Sequence, residues 1–325
     1  MAVRTFLGDR GDTGRRLDLV LRRYLANLES ATRTRVQTWI ATGTVSINGQ
    51  TVRRAAARVA AGDVLTVVIP DAAVPPQRTI EPQDVSLQIL FEDEHLLAVN
   101  KPAGIVVHPS HAHQSGTLLN ALAWHARDWP APARPSIVGR LDKLTSGIVL
   151  VAKNAALHAR LQRSMANTST EKDYLAIVYG RVKVPRGKID LRLRRDPVDR
   201  RRVVASTSAG APSLTYFERL AQLPPARIGV ALLKCRLMTG RTHQIRVHLA
   251  ARGWPIVGDP LYAGSGWSRI ADRQLGETLR AFPRQALHAW RLSFTHPGTM
   301  QRLVLEAPVP ADMRSLMCTL NLTSG

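Results

Sequence analysis

The sequence predicts an α+β fold in two parts: a small basic N-terminal unit and a larger, strand-rich domain. Three observations carry this reading. The stretch from Pro70 to Pro82, "PDAAVPPQRTIEP", holds four prolines and little apolar pattern, which marks a linker. Ahead of it, two helical repeats are followed by a hairpin signal. Beyond it, strand patterns of unequal length dominate, with helices inserted irregularly rather than in repeating βαβ units. The expected boundaries are 14–70 for the first unit, 71–82 for the linker and 83–315 for the second domain.

In the first unit, Leu17, Leu21, Tyr24 and Leu25 recur at helical spacing. Val36, Trp39 and Ile40 do the same after a cap at Thr32 or Thr34. "GTVSINGQTV" then alternates apolar and polar residues around Asn48-Gly49, the dipeptide that best suits a tight hairpin turn. "AGDVLTVVIP" closes the unit with a turn and a strand. Between Gly14 and Ala60, nine arginines and no lysine face only Asp18 and Glu29. Arginine makes planar, bidentate contacts with phosphate, so this density points to a phosphate-contacting surface.

In the second domain, "LQILFEDEHLLAVNKPAGIVVHP" reads as two strands around an acidic turn, ending in a loop at Lys101-Pro102. "TLLNALAWHA" and "AALHARLQRSM" read as helices. "SIVGRLDKLTSGIVLVAKN" reads as strand, loop and strand. "KDYLAIVYGRV", "GKIDLRLRRD", "PSLTYFERL" and "ALLKCRLMTG" read as further strands. "RTHQIRVHLAARG" begins a helix capped by Thr239 or Thr242 and ended by Gly253. Ser265 to Arg284 is polar without clear periodicity and reads as an irregular surface insertion.

The charge narrows the function. Lys and Arg number 45 against 24 Asp and Glu, a net of +21 over 325 residues. Such self-repulsion suits a polyanionic partner. No apolar run approaches the ~18 residues of a membrane span, and the charged N-terminus lacks a secretory core. Cys235 and Cys318 are far apart and lack metal-ligand spacing, which favours a reducing compartment. The expectation is therefore a cytoplasmic protein, away from membranes, whose partner is nucleic acid. "GDRGDTGR" is no phosphate loop, because no strand precedes it and no Gly-Lys-Ser/Thr follows. His108, His111 and His113 are loosely spaced, and His243 and His248 lie at i, i+5, so no metal is expected. No Gly-x-Ser-x-Gly elbow occurs.

Three segments join cations or hydroxyls to strand ends: "VNKPAGIVVHP", "GRLDKLTSGIVLVAK" and "LMTGRTHQIRVHLA". With "EKDYLAIVYG", "GDPLYAG" and "LHAWRLSFTHP", they make the chain from Glu81 to Asp312 resemble a ribosomal large-subunit pseudouridine synthase of the RluA type. The first unit resembles the RNA-binding module of ribosomal small-subunit protein four, here the S-four-like domain, most specifically from Ile40 to Gly49. The resemblance implies a small α/β RNA-binding domain and a catalytic domain built on a mixed, mainly antiparallel sheet. It implies Asp142 as catalytic carboxylate, Arg246 as its ion-pair partner and Tyr174 as the ring that stacks on the target uracil. Arg140 matches the residue that replaces the extruded base. Lys172 and Ile245 match pocket positions, and Thr145 and His243 stand in the same motifs as further substrate contacts. Arg15, Arg16, Arg33, Arg35, Arg53, Arg54 and Lys101 are the expected RNA contacts, and the basic run from Arg192 to Arg202 is read as another. Many family members have His before Arg-Leu-Asp, where this chain has Gly139.

The implied reaction breaks the N1–C1′ bond of uridine and forms a C5–C1′ bond. No atom or electron is gained, so no cofactor is expected. An ionised carboxylate is needed, and an arginine partner favours that form. The implied substrate is 23S ribosomal RNA or a large-subunit assembly intermediate; a monomer is the default expectation. Transfer RNA is an alternative substrate. A non-catalytic RNA-binding or assembly factor is an alternative of another class, disfavoured by the joint presence of Asp142, Tyr174 and Arg246.

Overall fold

The computed structural model describes residues 2–26, 28, 31–69, 80–109, 114–131, 133–223 and 229–322. Most of the expected linker, and His111 and His113, lie outside these residues. The chain forms two compact units, Met1–Thr79 and Ile80–Gly325.

The first unit pairs two helices, α1 (Leu17–Tyr24) and α2 (Arg33–Thr42), with an antiparallel sheet. Its strands are β1 (Ala2–Leu7), β2 (Val45–Ile47), β3 (Gln50–Thr51) and β4 (Val64–Ile69), in the order β1-β4-β2-β3. Leu17, Leu21, Val36, Ile40, Val45, Leu65 and Val67 form its core. The Thr32 hydroxyl accepts from the Arg35 amide and caps α2. Asn48 and Gly49 both take positive φ, 50° and 80°, as the β2–β3 hairpin turn requires. Strand β1 has no counterpart in the sequence reading. Its residues are almost all exposed, so no apolar alternation marks it; backbone pairing from Ala2↔Ile69 to Leu7↔Val64 holds it.

The second unit is built on one sheet. Its strands are β5 (Ile89–Glu92), β6 (Leu96–Lys101), β7 (Ser136–Val138), β8 (Ser146–Ala152), β9 (Glu171–Tyr179), β10 (Arg186–Arg195), β11 (Val203–Ser206), β12 (Ala211–Gln222), β13 (Val230–Leu237), β14 (Leu287–Thr295) and β15 (Arg302–Glu306). The main path is β11-β10-β12-β13-β9-β14-β8-β6-β5, with β15 beside β14 and β7 beside β8. Pairings are antiparallel except β14–β8, which is parallel through His288↔Ser146 and Ala289↔Gly147. The fold is thus α+β on a mixed, mainly antiparallel sheet, as expected. The helices are α3 (Leu118–His125), α4 (Ala155–Met165), α5 (Gln244–Ala251), α6 (Arg273–Arg280) and α7 (Ala311–Thr319).

Strand β8 is buried at every position because both faces are covered. Ile148 and Leu150 pack with Leu157 and Leu161 of α4, whereas Val149 and Val151 pack with Leu118 and Leu122 of α3. Two expectations need correction. Ser265–Arg284 is not an irregular insertion: it contains α6, with Ile270 and Leu279 buried and Leu275 and Phe282 packed on the main core. Its few apolar residues form one stripe within a polar composition, which masked the period. Helix α5 is capped by neither threonine. It starts at Gln244 after His243, whose φ of 56° and ψ of 19° are left-handed. The Thr239 hydroxyl instead donates to Gln244 Oε1 at 2.8 Å. Gly253, with φ 77°, ends the helix as expected.

The joint between β8 and β14 requires glycine. Gly147 has φ +115°, and a Cβ there would lie 2.2 Å from the Ala289 carbonyl oxygen. Gly147→Ala should cost about 3 kcal/mol or more, through strain and overpacking combined. Denaturant unfolding checks this; a native midpoint would contradict the tight joint.

Candidate active site

The loop from Gly139 to Thr145 joins β7 to β8 at the mouth of a cavity of about 600 Å³. Asp142, Tyr174, Arg246, Arg140, Lys172, Ile245, Thr145 and His243 all line it. Residues more than a hundred positions apart in sequence are thus brought to one place, by the β7–β8 loop, strand β9 and the start of α5.

The floor is an ion cluster. Arg246, 4% exposed, donates from Nη1 to Asp142 Oδ2 at 2.8 Å. Its other edge forms a fork on Asp259, Nε–Oδ2 at 2.7 Å and Nη2–Oδ1 at 2.9 Å. Asp259 Oδ1 also accepts from the amides of Leu261 and Tyr262. Burial opposes the guanidinium charge, but the Asp259 and Asp142 carboxylates outweigh it and raise its pKa above the ordinary value. His243 Nε2 lies 3.8 Å from the same Asp142 Oδ2. Burial is the main cause holding this imidazole below its ordinary pKa. Among the described residues, Asp142 Oδ1 makes no hydrogen bond.

Each residue after Asp142 is tethered from a different place. The Lys143 carbonyl accepts from Lys101 Nζ at 3.2 Å, and the Leu144 carbonyl accepts from Arg284 Nη1 at 3.3 Å. Gln285 Nε2 donates to Thr145 Oγ1 at 3.2 Å, and the Ser146 hydroxyl lies 3.0 Å from His288 Nδ1. Arg284 is itself forked on Asp312 of α7, at 2.6 and 2.8 Å. The turn that the sequence suggests is present, closed by the Thr145 amide on the Asp142 carbonyl at 3.1 Å.

Tyr174 points from β9 into the cavity, and burial, with the Asp142 charge, pushes its phenol pKa up. It stays protonated at neutral pH. Lys172 lines the wall and donates to the Met165 carbonyl at the end of α4, at 2.8 Å. Ile245 and Thr145 are buried lining residues, whereas Arg140 is exposed at the rim. Gly139 has φ +83° and open space around it. A side chain there would be strained by the backbone rather than by neighbours.

Lys101 is a correction. Expected on an RNA surface, it is fully buried, and its ammonium donates to the carbonyls of Pro102, Ile105 and Lys143. It clamps loops and has no access to a phosphate. Burial lowers its pKa to about 8. Arg15, Arg33, Arg53 and Arg54 are exposed, and Arg16 and Arg35 are half-buried. Arg16 is forked on Asp18 at 2.9 and 3.0 Å. Arg15, Arg16, Arg23 and Arg58 line a cleft of about 300 Å³ in the first unit. Among the described residues no His, Cys, Asp or Glu group is arranged to hold a metal, and no helix is long and apolar enough to cross a membrane. Sequence reasoning missed Asp259, Arg284, Gln285 and His288. Asp259 had a signal in "GDPLYAG"; tethers to backbone carbonyls leave none.

The buried cluster makes a stability prediction. Arg246→Met leaves two adjacent carboxylates without a cation and should cost about 3–5 kcal/mol. Arg246→Lys keeps the charge without the fork and should recover part of that loss. Urea unfolding with circular dichroism reads both, and a Met variant as stable as the native protein would contradict the clamp.

Comparison with known proteins agrees with this geometry. The model of the RNA pseudouridylate synthase family matches residues 95–251. The ribosomal large subunit pseudouridine synthase D of Zymomonas mobilis is 40% identical over 317 residues, 96% of this chain and 95% of that protein. Synthase D of Pseudomonas aeruginosa is 39% identical over 94% of this chain and 92% of its own. The RNA pseudouridine synthase YlyB of Bacillus subtilis is 38% identical over 91% and 92%. The structure of human RNA pseudouridylate synthase domain containing 4 shares the fold, with a TM-score of 0.58 and 24% identity over 73% of this chain and 94% of that one. The loop that carries Asp142 and the helix that carries Arg246 both fall within residues 95–251, and the chain belongs to the RluA-type RNA pseudouridine synthases, among the relatives of synthase D.

Proposed function

We propose that this synthase isomerises specific uridines of 23S ribosomal RNA, in the cytoplasm, with Asp142 as its catalytic carboxylate. The observation that carries the reading is the 2.8 Å contact between buried Arg246 and Asp142 at the cavity floor. A carboxylate beside a fixed guanidinium keeps its orientation. Because Arg246 and His243 both face Oδ2, Oδ1 is the oxygen presented to the nucleotide. The same carboxylate serves whether the first bond forms at sugar C1′ or at base C6.

The surrounding residues supply what the rearrangement needs. The target base leaves its stack at a cost of a few kcal/mol, offset by phosphate contacts of a basic protein. Arg140, exposed at the rim, fills the vacated place in the RNA. Tyr174 offers its ring to the extruded uracil, and Ile245, Thr145 and Lys172 shape the walls. Detached and turned, the base re-bonds through C5; the C5 proton then leaves and N1 takes one up. Atoms and electrons balance within one nucleotide. The exposed arginines of the first unit and of the β10–β11 hairpin hold the surrounding RNA. The large-subunit substrate follows from likeness to the synthase D proteins, which extends over nearly the full chain.

Asp142→Asn should reduce pseudouridine formation on a 23S ribosomal RNA transcript to below about a thousandth of the native rate, while RNA affinity stays within about threefold. Single-turnover tritium release with filter binding reads both. Equal turnover by the variant would end this assignment.

A further inference from the structure

Two side chains face Asp142 Oδ2, and one short turn holds both. Asp259 forks Arg246. Three residues on, the Tyr262 hydroxyl lies 2.9 Å from His243 Nδ1. A third group bears on the direction of that bond. The Val203 amide of β11 donates to the same hydroxyl at 2.9 Å, so the oxygen already accepts one bond and its own proton is free for the imidazole. With Nδ1 accepting that proton, neutral His243 carries its own on Nε2, the atom facing the carboxylate.

Tyr262 is held on several sides. Its ring packs with Leu193, Val203 and Val247, and the Arg246 guanidinium lies 5.1 Å from the ring centroid. Its amide is held by Asp259. His243, for its part, keeps a left-handed backbone that no side-chain cap repays.

We propose that Tyr262 is a positioning residue of this active site: its hydroxyl fixes His243 as the Nε2–H tautomer, a donor aimed at Asp142 beside the substrate cavity. The donor joins Arg246 in orienting Oδ2 and leaves Oδ1 for the nucleotide. At 3.8 Å the contact is open in the free protein and tightens when a nucleotide fills the cavity. The inference rests on Asp142 being the catalytic carboxylate.

The pH dependence has a definite sign. Burial, Arg246 and Arg140 favour neutral His243, while Asp142 and Asp259 favour the protonated ring. The Tyr262 proton can bond only the neutral ring. Removing it makes His243 easier to protonate, and a protonated ring carries Nε2–H without help from Tyr262, so the deficit left by its removal shrinks as pH falls.

Long-range proton–nitrogen NMR of the full-length protein should show His243 as the Nε2–H tautomer in the native enzyme and as a mixture in Tyr262→Phe. The Phe variant, with its ring packing intact, should lose about tenfold in kcat at about pH 8 with KM unchanged, and less at about pH 6. His243→Gln supplies an amide donor without needing Tyr262, so adding Tyr262→Phe to it should cause no further loss. A native His243 in the Nδ1–H form, or native kcat for Tyr262→Phe at both pH values, would overturn the proposal. Failure of the catalytic assignment would be seen separately, as an active Asp142→Asn variant with the tautomer signal unchanged.

Discussion

A guanidinium shared between two carboxylates at the base of a cavity is the interaction around which the second unit is arranged. Arg246 is 4% exposed, and taking such a group from water costs several kcal/mol unless every bond is satisfied. Asp259 takes two of its donors in a fork and is held by backbone amides. That leaves Nη1 directed at Asp142. The cluster is better understood as an orienting device than as a source of stability, because buried ion pairs seldom improve on apolar packing. What it provides is a carboxylate that is fixed without being consumed by its partner.

Holding that carboxylate still is a task for the backbone. The loop that bears it spans the step from β7 to β8, beside the parallel β8–β14 joint of the sheet. Lys101, Arg284, Gln285 and His288 reach successive residues of this loop from the β6 end and from the entry to β14. Arg284 extends the support to α7 through Asp312. Such tethering fits a reaction in which a base must be detached, turned and rejoined before it escapes. Preorganisation of this kind moves the ordering cost from the reaction to folding.

Parts of this were legible in the sequence and parts were not, for physical reasons. Asp142, Arg246 and Tyr174 stood in long motifs, and the pattern of the strands around them agreed with their placement. The Asn48-Gly49 turn and the Thr32 cap were legible because each depends on local chemistry alone. Lys101 misled because a lysine beside Pro-x-Gly has the composition of an anion loop, while its real partners are carbonyls, which sequence does not distinguish. Strand β1 escaped because its contacts are backbone pairings, and α6 because its apolar stripe is short. His243 was legible as a pocket residue, but its tautomer depends on Tyr262 and on an amide of β11 far away in sequence.

The central claim is that this cavity makes pseudouridine in large-subunit ribosomal RNA. The most direct measurement is pseudouridine mapping across all RNA from cells with and without the gene. Discrete positions in 23S ribosomal RNA should lose pseudouridine in its absence, while transfer RNA is unchanged. An unaltered 23S map, with losses confined to transfer RNA or absent altogether, would contradict it.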